Sequence, residues 1–220
     1  MPPVGANPQA AVRADRVRQA FRLEFLTLAW MTVEAAVGIG AGLAAGSLVL
    51  VAFGADSLIE LASACVLVWR LNVELRHGEE FAESAERLAA RIGGALLFAL
   101  AAYVVIAAGW KVWTRAGAEF SSGGLALSVA AIPIMYFLAR RKQRLADEIG
   151  SRALRADAVE SITCGWLAFV VVAALAAEFV LARVAVPAWW VDPLASLAIV
   201  WFLVREGREA WSGAECCDDD

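Results

Sequence analysis

Carboxylates stand inside two of this chain's long apolar stretches, spaced so that they share a helix face. In LVLVAFGADSLIELASAC (residues 48–65), Asp56 and Glu60 are four residues apart. In ADAVESITCGWLAF (residues 156–169), Asp157, Glu160 and Cys164 fall at i, i+3 and i+7. An ionisable group at bilayer depth costs at least ~2.5–3.5 kcal/mol, so it calls for a partner, an ion or a water path. Two such faces in one small chain point to a shared cation site. Carboxylate oxygens suit Mg²⁺, Mn²⁺ and Fe²⁺, whereas a thiolate shifts preference toward Zn²⁺ and softer ions. Asp56, Glu60, Glu160 and Cys164 together make a four-ligand set of the kind tetrahedral zinc takes, although zinc sites usually include histidine. Such ligands must shed protons to bind, so metal binding and proton release are coupled.

Glu34 lies on one stripe with Gly38, Gly42 and Gly46, at successive intervals of four residues. Small residues at that spacing let another helix approach closely. Glu34 itself is open to three readings: a proton carrier, a polar pore contact, or a hydrogen-bonding partner of a neighbouring helix. His77, the one histidine, sits in a charge-rich stretch (residues 72–87) that reads as a solvated connection.

These side chains need helices to hold them. The chain has 220 residues, 61% of them apolar, and nine tryptophans. Its mean hydropathy is +0.66. Soluble domains sit nearer ~45–50% apolar, so the expected class is an all-α polytopic membrane protein. Six stretches approach the ~20 residues that cross a hydrocarbon core. They lie at about 23–46, 48–71, 92–113, 124–140, 155–184 and 186–205, and the fourth contains Pro133. Residues 140–151 are expected to continue the fourth helix beyond its span, with Gly150 breaking it before the fifth. Asp192-Pro193 reads as a helix start, the acid capping and the proline in the first turn.

All but three of the 19 Lys and Arg residues fall on one side of this scheme; Lys111, Arg115 and Arg183 are left for the other. By the positive-inside rule both termini are then cytoplasmic. The first apolar run is too long for a cleavable signal segment. Cys65 and Cys164 lie within spans, and Cys216-Cys217 in a tail expected in the cytoplasm, so no disulfide is expected. The expected organisation is an N-terminal segment (1–21), a six-helix transmembrane domain (22–211) and a short acidic tail (212–220). No nucleophile constellation, phosphate loop or basic surface domain supports a soluble enzyme or a nucleic-acid binder. The residues leave two readings open, translocation of an ion or proton, or a membrane scaffold with internal polar contacts.

Three motifs carry a resemblance to a known family. They are AGSLVLVAFGADSLIE (residues 45–60), SRALRADAVESITC (residues 151–164) and VDPLASLAIV (residues 191–200). In this order, with six spans and cytoplasmic termini, the chain resembles the cation diffusion facilitators, or cation efflux proteins. The resemblance implies a secondary transporter, not an enzyme, that exports Zn²⁺, Mn²⁺, Fe²⁺ or related ions against protons. It implies a homodimer in the cell's inner membrane, with the metal as cargo and no permanently bound cofactor. The family's metal pairs fall by position on Asp56 and Glu60 and on Glu160 and Cys164, with Asp157 as an accessory acid.

Glu160 and Cys164 replace the family's usual His and Asp, and Glu34 stands where many members carry a neutral polar residue. The C-terminal metallochaperone-like domain of many members is not expected here. In the tail, Cys216 and Cys217 among four acids read either as a cytoplasmic metal-capture site or as a plain acidic end. Zinc leads the expected substrates, followed by manganese, iron and cadmium. A non-transporting metal-sensing or modulatory subunit is the alternative, and an exporter of organic cations, resting on Glu34, a third reading.

Overall fold

The computed structural model describes residues 8–77 and 83–212. Among them the chain forms α1 (Pro8–Ala45), α2 (Leu48–His77), α3 (Glu83–Thr114), α4 (Ser122–Ile149), α5 (Arg152–Arg183) and α6 (Val191–Ser212), with no strand. The all-α expectation therefore holds. Five of the helices, α1 to α5, are long and apolar enough to cross a membrane. α6 differs because its uncharged run, residues 193–204, is bounded by Asp192 and Arg205, and about 20 apolar residues are needed to span unaided.

Several helices run past the apolar stretches at the arginine-rich end. α1 takes in the basic N-terminal stretch, and the charged connection of residues 72–87 is largely helical on either side of residues 78–82, which lie outside the described residues. α4 continues through Pro133 to Ile149, where Gly150 adopts φ 68°. That left-handed cap suits glycine, which has no Cβ to clash. Ser151 then caps α5, its hydroxyl accepting from the Leu154 N–H at 3.3 Å. The break expected at Gly150 is where α4 ends.

The glycine stripe packs α1 on α2 within the chain. A Cβ on Gly42 would lie 2.7 Å from the Val51 backbone nitrogen, and one on Gly38 3.0 Å from Gly54 Cα. A Cβ on Gly54 would in turn meet the Ile39 nitrogen at 2.6 Å. Gly46 is not part of this contact; it turns the chain between the two helices at φ 60°. This close approach brings Glu34 of α1 and Asp56 of α2 to the same interior, over a core that includes Leu50, Phe53, Met135, Leu167 and Ile199. Trp110, Trp113, Trp166 and Trp201 point outward, as lipid-facing aromatics do.

Asp192 does not cap its own helix. α6 begins at Val191, and the buried Asp192 carboxylate reaches across to the start of α2. There it accepts from Leu48 N (3.0 Å), Val49 N (3.1 Å) and Ser47 Oγ (2.7 Å). Lys111 of α3 completes the knot at 2.6 Å. The first N–H groups of a helix have no partner within it, and a carboxylate there also suits the positive end of the helix dipole.

Candidate metal centre

α2 carries Asp56 and Glu60 one turn apart toward the middle of the bundle. Asp56 is 0% exposed and Glu60 6%. Neither has a hydrogen-bond partner on either carboxylate oxygen. Buried polar groups are nearly always partnered, so four such oxygens side by side need an accounting. A set of such oxygens can take a divalent cation.

A third carboxylate comes from α6. Oxygens of Asp56, Glu60 and Glu206 all lie within 4.8 Å of one another. Glu206 Oε1 also lacks a hydrogen-bond partner, and Thr163 of α5 stands beside the Glu206 side chain. Glu160 of α5 lies outside this trio but within electrostatic range of all three acids. Cys164 is fully buried, and its Sγ sits 3.9 and 4.0 Å from the two carboxylate oxygens of Glu34. Thiol and Glu34 thus form a pair of their own beside the trio.

Asp157 is placed elsewhere. It is ion-paired with Lys142 of α4, a fully buried ammonium that also lies 3.4 Å from Glu24 Oε2 of α1. Ser161 adds a contact at 3.3 Å. This group ties α1, α4 and α5 together between the centre and the arginine-rich end. Cys216 and Cys217 lie outside the described residues.

Sequence reasoning put Asp56, Glu60, Glu160, Cys164 and Glu34 on membrane helices, and the structure gathers them in one interior. It missed Glu206, Lys142 and Glu24. Glu206 sits among Arg205, Arg208 and Glu209 and reads as part of a solvated end. A signal was nonetheless present, because Asp192, Ser196, Ile199 and Leu203 are buried at alternating intervals of four and three residues, and Glu206 is the next position in that series.

The fold and site define a multi-pass membrane protein with a buried carboxylate centre. Residues 25–213 match the cation efflux transmembrane domain, and the chain belongs to the cation efflux family. The family's members are transporters of metal cations, not enzymes. A protein of Synechocystis described as an uncharacterized transporter is 30% identical over 166 residues, which is 73% of this chain and 52% of that relative. The chain thus spans about half the length of the relative it matches.

Proposed function

We propose that the protein exports a divalent transition metal, drawn from Zn²⁺, Mn²⁺, Fe²⁺ and Cd²⁺, in exchange for protons. Export would run across the inner membrane, with the protein working as a homodimer. The observation that carries the reading is the pair of buried acids, Asp56 and Glu60, whose oxygens have no protein partner. Family membership supplies the context.

The chemistry follows from the ligand types. A hydrated cation reaching the centre exchanges water for carboxylate oxygens, and its charge offsets the acids' desolvation. Carboxylates and thiols bind metal only when deprotonated, so loading expels protons and reprotonation loosens the ion. Glu160, facing the centre from α5, adds negative charge, and Glu34 with Cys164 borders it from α1 and α5. Rocking of helices about a fixed site would expose it to each side in turn.

One observation favours the modulatory reading. Cys164, in place of an acid, faces Glu34 rather than joining the three carboxylates. Flux of Zn²⁺, Mn²⁺, Fe²⁺ and Cd²⁺ into proteoliposomes, with and without a pH gradient, separates the two. Gradient-dependent movement that Asp56→Ala abolishes supports the exporter. Absence of any movement by folded protein sinks it in favour of a sensing subunit.

A further inference from the structure

The trio on α2 and α6 says more than that a cation binds. We propose that Glu206 is the third ligand of the transported ion, which is gripped between α2 and α6 by oxygen alone and belongs to the oxygen-preferring divalent metals, Mn²⁺ and Fe²⁺. This deepens the export reading and rests on it.

Carboxylate oxygens on a bound Zn²⁺ stand at about 2.0–2.2 Å, so three spread evenly around one such ion are at most about 3.8 Å apart. The three side chains, with oxygens inside 4.8 Å of one another, need only small rotations to close on a common ion. Among the described residues no ion pair or hydrogen bond reaches Asp56 or Glu60, while Arg205 offsets part of the charge on Glu206. Lys142 is engaged by Asp157 and Glu24, and Lys111 by Asp192. Arg205, the residue before Glu206, directs its Nε to Glu209 at 3.0 Å. Asp56 and Glu60 meanwhile keep both oxygens unpartnered in a buried interior.

The thiol stands apart from this set. Cys164 Sγ is turned to the Glu34 carboxylate at 3.9–4.0 Å, away from the three carboxylates. Carboxylate sites suit manganese, while thiolate ligands are what draw zinc and softer metals. An oxygen-only grip therefore removes the reason to expect a Cd²⁺ preference.

The test is Mn²⁺ and Cd²⁺ binding to purified full-length protein by equilibrium dialysis, with size-exclusion elution as the check on folding. Asp56→Ala is expected to abolish binding of both ions. Glu206→Gln is expected to weaken Mn²⁺ binding by about tenfold or more, as perturbing a metal's immediate surroundings does. Loss of Mn²⁺ or Cd²⁺ affinity in folded Cys164→Ser would put the thiol on the ion and overturn the oxygen-only assignment. Unchanged Mn²⁺ affinity in folded Glu206→Gln, with Asp56→Ala still inactive, overturns the role of Glu206 and leaves the export site standing. Unchanged binding in Asp56→Ala overturns both. A measurement on the unaltered protein covers the case in which Glu206→Gln does not fold: Co²⁺-loaded protein should show no thiolate-to-metal charge-transfer absorption. Such a band would place Cys164 on the metal and end the oxygen-only assignment.

Discussion

Lys111 Nζ lies 2.6 Å from Asp192 Oδ2, and the same ammonium donates to the Gly46 carbonyl at 2.7 Å. One lysine of α3 thus holds both the acid that caps α2 and the turn that leads into it. Asp192→Asn keeps the shape of the side chain but removes the charge that Lys111 and the helix start share. The expected loss is about 1.5–3 kcal/mol, the range for hydrogen bonds to charged groups, read as a lower unfolding temperature in detergent. An unchanged temperature would mean that the contacts to Leu48 and Val49 contribute little.

Lys142 is the costliest single truncation to expect. Removing it leaves Glu24 and Asp157 buried without their cation, and breaking a buried pair costs about 3–5 kcal/mol. Lys142→Ala should therefore reduce folded yield sharply. Replacing all three charged residues with apolar ones of similar volume should restore it, since a well-packed apolar substitute is often as stable. Failure of that rescue would show that the group does more than hold helices together.

Glycine substitutions on α1 separate packing from propensity. Gly42→Ala pushes a methyl into the Val51 backbone, which cannot step aside, and overpacking of this kind costs about 1–3 kcal/mol. Gly40 has nothing within 4 Å of where its Cβ would stand. Gly40→Ala should stabilise by about 0.5–1 kcal/mol, the helix preference of alanine over glycine. Equal unfolding temperatures for the two variants would contradict the close α1–α2 contact.

Exposed ion pairs give the opposite expectation. Arg155 reaches Asp147 at 2.7 Å, with both side chains more than half exposed. Pairs of this kind contribute about 0–1 kcal/mol. Arg155→Ala should leave the unfolding temperature nearly unchanged, and a shift as large as that of Lys142→Ala would show a structural role that exposure does not suggest.

The apolar helices, the Gly150 break and the glycine stripe were legible because each is a local property: hydropathy over one turn after another, a left-handed cap, small side chains on one face. Asp56 and Glu60 stood out for the same reason, as charges where none is tolerated cheaply. Lys142 and Glu24 escaped because they sit among arginines, where a charge reads as solvated. Their burial follows from helix register instead. Lys142 continues the buried face of Met135, Leu138 and Ala139 on to Ala146 and Ile149. Glu24 lies between buried Ala20 and Thr27 in the same way. Asp192 misled for a different reason: its neighbour Pro193 marks a helix start, but the unpartnered N–H groups of α2 stood closer to its carboxylate than its own helix did.

Two lysines partition the molecule. Lys142 fastens α1, α4 and α5 to one another, and Lys111 fastens α2, α3 and α6. Asp56, Glu60 and Glu206 all belong to the second group, while Glu34, Glu160 and Cys164 belong to the first. The seam between these two three-helix blocks therefore runs through the centre itself. Across that seam the close contact of Gly38 and Gly42 with α2 sets the register of the two blocks, and with it the distance from Glu60 to Glu160.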